Sequence, residues 1–275
     1  MDPFTLEWLR GPAEHHFRRT HPAGDFDWES LDVSSYPTSL VEASRRVWMG
    51  LVLSEYSAIH AFADVVAALT QARAPLDLIG MTGDFLADEV RHVELASRVV
   101  MLLGGAPVHA FDPSRLSPST PSATTPFERA NELALRVGCI AEVFAGRTAM
   151  PIMKETTHPL LRAIYESILR DEARHSRFGG LYFEWAEERL SPAERVRLGN
   201  VTLDALRNYA PLWRPPAPLA GTPPEWHPHR SQDLGWLELP RHVSLARDTM
   251  VDFVLPPLRK LGLILPEAEL EALLA

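Results

Sequence analysis

The chain has 275 residues, of which 46% are hydrophobic, and it carries a net charge of −9. This length supports one substantial core, and the acidic balance argues against a nucleic-acid-binding protein. Its single cysteine, Cys139, excludes an intrachain disulfide and a thiolate zinc site. Charges or prolines soon interrupt every apolar stretch, so we expect no membrane span, no signal peptide and a soluble cytoplasmic protein.

The first two thirds of the chain predict an arm followed by a helical bundle. Residues 1–35 are polar with a few aromatic anchors and predict an N-terminal arm; residues 1–5 look like a cloning remnant and do not enter the prediction. Apolar residues then recur at helical spacing through a bundle domain at 36–190. Four helices are expected. Their approximate bounds are residues 37–73, 75–103, 127–156 and 158–190. The proline-rich residues 104–126 predict a long crossover without regular structure.

The remaining residues, 191–275, predict a helical extension. Ser191, Pro192 and Glu194 are typical of a helix start. Residues 211–240 are rich in proline and contain three tryptophans, Trp213, Trp226 and Trp236. Because tryptophans need packing partners, this segment predicts an irregular lid over one end of the bundle. A last helix is expected at about 243–263, interrupted by two prolines.

The string Asp-Glu-x-Arg-His occurs twice, at 88–92 and at 171–175. In each copy, Glu and His stand three residues apart and share one face of a helix. Counted from the helix turns at ~1.5 Å per residue, Glu55 lies at the depth of Glu89, and Glu142 at the depth of Glu172. Carboxylates and imidazoles suit iron or manganese. The predicted metal ligands are Glu55, Glu89, His92, Glu142, Glu172 and His175.

This inventory resembles that of the ferritin-like non-haem di-iron and di-manganese carboxylate bundles. The doubled string is also similar to the pattern of multicomponent monooxygenase hydroxylases, and the chain resembles the arylamine N-oxygenases as well. Over residues 40–190, the resemblance implies an all-α, ferritin-like four-helix bundle with one long crossover. It implies two iron ions, or an Fe/Mn or Mn/Mn pair. A ligating histidine usually donates its other N–H to a carboxylate, so Asp88 and Asp171 are expected to serve the histidine of the opposite hairpin, held by Arg91 and Arg174.

Departures from individual families narrow this resemblance. Ferritins generally have one histidine at the metal centre, whereas this chain is predicted to have two. Rubrerythrins also contain an iron module with four cysteines, which a chain with one cysteine cannot form. Ala96 stands where the ribonucleotide reductase radical subunit has tyrosine. Ile168 stands where arylamine N-oxygenases have a third histidine, which weakens N-oxygenation as the reaction.

A substrate space is expected one helical turn from the ligands, where small or apolar residues share the ligand faces. The predicted lining residues are Ile59, Phe85, Gly138, Ala145, Ile168 and Gly179. Glycine and alanine on both sides of Glu142 are expected to leave room for an apolar organic substrate.

The leading hypothesis is an O₂-dependent oxygenase or oxidase that hydroxylates, desaturates or N-oxygenates a small organic molecule. Electrons would come from an external reductase or ferredoxin, because the chain has no flavin, haem or iron–sulfur motif. A monomer or homodimer is expected, without a nucleic acid or membrane partner. The alternatives are a ferroxidase or peroxide-scavenging protein without an organic substrate, and a non-enzymatic bundle with structural metals.

Overall fold

A computed structural model describes residues 2–22, 24–106, 108–111, 120–215 and 222–275. The fold is all-α apart from one short pair of strands, as the sequence predicts. The helices of the described residues are α1 Gly11–Arg18, α2 Thr38–Gln71, α3 Leu76–Leu102, α4 Pro126–Leu133, α5 Glu142–Glu155, α6 Pro159–Ala186, α7 Pro192–Tyr209, α8 Leu239–Thr249, α9 Leu255–Lys260 and α10 Glu267–Leu274. Short 3₁₀ turns connect several of them.

Four long rods form a helical bundle. They are α2, α3, α6 and a composite rod in which a π-helical segment, Ala134–Ala141, joins α4 to α5. α2 packs along α3 and α5 along α6, while α3 contacts α6 and α2 contacts α4. One cluster of buried apolar side chains contains Phe62 and Phe178, and the other contains Trp48 and Ile164. These clusters fill the bundle interior.

The helix boundaries follow from local chemistry. Thr125 and Glu128 form a capping box before α4, because the Thr125 hydroxyl accepts the Glu128 amide at 3.2 Å and the Glu128 carboxylate accepts the Thr125 amide at 3.2 Å. The Ser191 hydroxyl accepts the Glu194 amide at 3.1 Å and starts α7 as expected. Gly104, at a φ of 78°, follows the end of α3.

Helix α2 qualifies the expectation that no segment could span a membrane. It is long and apolar enough to cross one, by length and composition alone. However, it packs along α3 and α4 and buries Glu55, as the core helix of a soluble bundle does.

The crossover contains a strand that the sequence did not predict. Asp2–Thr5 (β1) and Val108–Phe111 (β2) pair antiparallel, with Asp2 opposite Phe111 and Thr5 opposite Val108. The prediction of an irregular 104–126 was therefore wrong at β2, and residues 2–5 belong to the fold. Residues 107 and 112–119 of the predicted crossover lie outside the described residues.

A buried ionic network fixes the C-terminal extension to the composite rod. Arg197 on α7 donates to the carboxylate of Glu132 at 2.7 Å and to that of Glu194 at 2.8 Å. The amide of Asn131 donates to Glu194 at 2.7 Å. Because Glu132 is fully buried, the network holds α7 at a fixed position against α4.

The last predicted helix, at 243–263, differs from the observed structure. α8 begins at Leu239, a π segment at Met250–Val254 joins it to α9, and α9 ends at Lys260. The chain then forms α10, which was not predicted. Its eight residues are too few for apolar periodicity to give a clear signal.

The tryptophan-rich segment covers one end of the bundle in part. The Trp226 indole donates to the Ser39 hydroxyl at 3.0 Å, and the Trp236 indole donates to the Ser44 hydroxyl at 2.7 Å, so both lie on the start of α2. Trp213 lies elsewhere, because its indole donates to the carbonyl of Leu273 in α10. The prediction of one lid holding all three tryptophans was therefore wrong for Trp213. Residues 216–221 lie outside the described residues.

Candidate metal centre

The six predicted ligands lie together inside the bundle, where the four rods meet. They form two groups, and within each group one ligand atom per residue lies within 4.8 Å of the others. The first group is Glu55, Glu89, His92 and Glu172; the second is Glu89, Glu142, Glu172 and His175. Glu89 and Glu172 belong to both groups, so the arrangement is that of two adjacent sites with two common carboxylates. Each group could hold a metal ion, and which ion it holds stays a prediction.

The ligand atoms fit a metal pair because many of them have no other partner. Both imidazoles are fully buried. Both carboxylate oxygens of Glu89, Oε2 of Glu172 and Nδ1 of both histidines lack a hydrogen-bond partner. Buried polar atoms without partners are costly, yet these face one another. Nδ1 of His175 lies 3.0 Å from Oε1 of Glu89, and Nδ1 of His92 lies 3.5 Å from Oε2 of Glu55. Coordinated cations would satisfy these atoms.

Without metals, protons compensate the charge of the carboxylates. Burial lowers the pKa of His92, but the neighbouring carboxylates, first that of Asp171, outweigh it and raise this pKa well above its usual value. The pKa of His175 is raised by the same balance. Burial raises the pKa of Glu172 well above its usual value, and the charge of Glu142 raises it further. Metal binding must therefore displace protons.

Each imidazole points its second nitrogen at an aspartate of the other motif copy. Nε2 of His92 lies 3.3 Å from Oδ2 of Asp171, and Nε2 of His175 lies 3.2 Å from Oδ2 of Asp88. Each contact thus joins α3, which packs along α2, to α6, which packs along α5. Such a partner fixes the ring orientation of a ligating histidine and leaves Nδ1 for the metal.

The two motif arginines hold these aspartates. Arg91 donates to Oδ2 of Asp171 at 3.4 Å and to the hydroxyl of Ser167 at 2.8 Å. Arg174 donates to Oδ2 of Asp88 at 3.1 Å and to Oδ1 of Asp171 at 3.0 Å. The roles of these four residues around a bound metal stay predictions, but the contacts such roles require are present.

A π-helical segment positions Glu142. It replaces the continuous α-helix expected at 127–156 and ends at Ala141, directly before the ligand. π segments occur preferentially at functional sites. Within this segment, a Cβ on Gly138 would lie 2.9 Å from the backbone nitrogen of Gly179 on α6. Glycine at both positions therefore lets the two helices approach closely and brings Glu142 to α6.

The residues of the predicted substrate lining lie in different surroundings in the structure, and the lining itself stays a prediction. Gly138 and Gly179 lie in close contact, because a Cβ on either glycine would come within 3 Å of backbone atoms of the other helix. Phe85 packs on the ring of His175, with 4.2 Å between centroids, and Ala145 is exposed on the surface. Helical spacing identified the face of each residue, but it does not distinguish a cavity from a helix–helix contact.

The remaining two predicted lining residues belong to the core near Trp48. Ile168 is buried there, and Ile59 is half-buried against the same cluster. Neither of two surface pockets in the described residues is lined by any of the six predicted positions. One pocket, of about 330 Å³, lies at the start of α3 beside Trp185, and the other, of about 220 Å³, lies beside Trp28.

Two residues near the centre were not predicted from the sequence. Nε2 of His21, in the N-terminal arm, lies 3.7 Å from Oδ1 of Asp88. Tyr209 of α7 packs on Phe144 with 5.1 Å between ring centroids, and burial followed by the charge of Glu142 raises its pKa. Neither belongs to a ligand motif, and only their positions in the fold bring them near the centre.

No protein-family model matches the chain, and neither the curated proteins nor the solved structures contain a significant match. Membership in a di-iron family therefore stays a prediction from the sequence motif.

Proposed function

We propose that the chain is a non-haem di-iron oxygenase or oxidase that uses O₂ to modify a small organic molecule. The supporting observation is that Glu89 and Glu172 belong to both four-residue groups. Common carboxylates hold two ions close together, as reactions shared between two metals require. Structural zinc sites are instead usually closed sets of thiolate and imidazole ligands around one ion.

The charge of the site supports a pair of divalent ions. Four carboxylates carry four negative charges when ionised, which two M²⁺ ions would neutralise in a buried place where unpaired charge is costly. When bound, redox-active ions would supply the oxidising chemistry. The chain would hold them, orient the two imidazoles through Asp88 and Asp171, and exclude water with rings such as that of Phe85, which covers His175.

We propose that a substrate approaches beside Glu55, which is the most exposed of the six ligands. The side chain of Glu55 is 11% exposed, whereas both histidines are fully buried. Glu55 lies on α2, and the exposed Ala145 lies one turn after Glu142 on α5. We therefore place the approach between α2 and α5. Ala145→Trp is expected to slow the reaction of large substrates more than that of O₂ alone, and Ala173→Trp, on the exposed face of α6, is the control.

The proposal also includes the source of electrons, the cellular location and the oligomeric state. An external reductase or ferredoxin would supply the electrons, because the chain has no electron-carrying motif of its own. We expect a cytoplasmic monomer or homodimer without a nucleic acid or membrane partner.

The test is anaerobic loading with Fe²⁺ followed by exposure to O₂. We expect two metal ions per chain and an optical change that depends on O₂. Protein loaded with Zn²⁺, which has no redox chemistry, is the control and should show no change. Iron binding without any response to O₂ would favour structural metals.

Solution mass separates the oxygenase from an iron-storage protein. Storage requires a large shell of subunits, whereas a monomer or dimer supports the oxygenase. A dimer that consumes O₂ with iron but never oxidises an added organic compound in the presence of a reductant would favour a ferroxidase or a peroxide-scavenging protein.

A further inference from the structure

The two aspartates that contact the imidazoles are held differently. Oδ1 of Asp171 accepts a hydrogen bond at 3.0 Å from Arg174, which lies three residues later on the same helix. By the same spacing, Asp88 would have Arg91, but Arg91 instead donates to Asp171 and Ser167. Oδ1 of Asp88 therefore has no partner from its own motif.

The N-terminal arm occupies this position. Nε2 of His21 lies 3.7 Å from Oδ1 of Asp88. Asp88 is only 5% exposed. The imidazole of His21 thus lies beside the Asp88 oxygen that corresponds to the Asp171 oxygen bound by Arg174, at a distance longer than a hydrogen bond.

The arm holds His21 from several sides. Nδ1 of His21 lies 2.9 Å from the hydroxyl of Thr20, which leaves Nε2 to face Asp88. The imidazole stacks on Phe17 with 5.0 Å between centroids. Arg18 fixes the arm to α3 through two hydrogen bonds to Glu94, at 2.6 and 2.7 Å. Because Arg18 already anchors the arm, the contact of His21 is not needed for docking alone.

We propose that His21 is a positioning residue for one half of the metal centre. His21 holds the carboxylate of Asp88 in place, and Asp88 in turn orients the imidazole of His175. It thereby affects the metal affinity of the group formed by Glu89, Glu142, Glu172 and His175. The other group, which contains His92, depends on Asp171, and no such contact to Asp171 comes from the described residues of the arm. This inference rests on the proposed dinuclear centre, but it concerns only how the two positions differ.

The test is a titration of the metal-free protein with Co²⁺, whose visible spectrum reports its ligand geometry. Contacts directly behind a ligand are worth about 10–100-fold in metal affinity, and His21 acts one contact further out. His21→Ala is therefore expected to weaken one of two Co²⁺ binding steps by about 3–10-fold and to change its spectrum. His21→Gln should restore both, because its amide nitrogen can take the place of Nε2. His15→Ala, an exposed change in the same arm, is the control.

Arg18→Ala tests whether the arm delivers His21. Loss of the anchor should weaken the same binding step that His21→Ala weakens. Unchanged Co²⁺ binding in His21→Ala, equal weakening of both steps, or no difference between the Ala and Gln variants would overturn the proposal. If the wild-type protein fails to bind two Co²⁺ ions, the proposed dinuclear centre fails, which is a separate result.

Discussion

The two copies of Asp-Glu-x-Arg-His are similar in sequence but occupy different surroundings. Asp171 accepts hydrogen bonds from two arginines, Arg91 and Arg174. Arg91 also donates to the hydroxyl of Ser167. Asp88 receives one arginine and faces a histidine of the arm. A motif thus determines which side chains meet in the bundle, while the elements packed outside it make the two halves unequal.

The helices that carry the copies differ in the same way. The hairpin of α2 and α3 consists of regular α-helices. The other hairpin contains the π segment before Glu142 and the close contact of Gly138 with Gly179. One half of the centre thus depends on a specialised backbone and the other on a regular one, and the following predictions test this difference from the largest expected effect to the smallest.

Removal of a common carboxylate should affect both halves at once. Glu89→Ala and Glu172→Ala are each expected to abolish binding of the metal pair, because each carboxylate belongs to both groups. Glu55→Ala and Glu142→Ala should each weaken mainly one position. Metal analysis after dialysis measures the loss, with the exposed Glu166→Ala on α6 as the control. Full metal retention in both Glu89→Ala and Glu172→Ala would overturn the ligand assignment.

Neutralising one aspartate should affect the half that contains its histidine partner. Asp88→Asn is expected to weaken the position of His175, and Asp171→Asn that of His92, each by about 10–100-fold in affinity. The reason is that each carboxylate orients one imidazole and accepts its N–H. Metal titration with the spectrum of each step measures both effects. If both variants weakened the same step, the crossed pairing would have no role in binding.

A methyl group between the close helices should destabilise the second hairpin. A Cβ on Gly179 would lie 2.7 Å from the backbone nitrogen of Cys139, so Gly179→Ala is expected to cost about 1–3 kcal/mol of unfolding free energy. Gly180→Ala is the matched control, because its Cβ meets nothing within 4 Å, and it should stabilise the helix by about 0.5–1 kcal/mol. Denaturant unfolding measures both. Equal stability of the two variants would contradict the close contact.

The metal-free and metal-loaded proteins should respond differently to pH. The pKa values of His92, His175 and Glu172 are raised in the folded state, so the folded metal-free protein binds more protons than the unfolded chain. Its stability should therefore fall as the pH rises from about 6 to 9. Metal affinity should rise over the same range, because metal and protons compete for the ligands. Thermal melts of both forms check the signs, and parallel curves would mean that metal binding does not displace these protons.

The sequence predicts the bundle well because its signals are local. Apolar spacing predicted the four long rods, and two copies of one motif predicted which glutamates and histidines meet. The sequence could not show that Gly138 faces Gly179, because helical spacing gives a face and not its neighbour. It could not place His21 beside Asp88 either, since that contact joins segments far apart in the chain. The strands β1 and β2 were also missed, because each has only four residues and its partner lies far away in the chain.

Anomalous X-ray scattering from iron-loaded crystals tests the central claim most directly. We predict two iron peaks inside the bundle, one among Glu55, Glu89, His92 and Glu172, and the other among Glu89, Glu142, Glu172 and His175. A single peak, or peaks outside these two groups, would contradict a dinuclear centre built from the doubled motif.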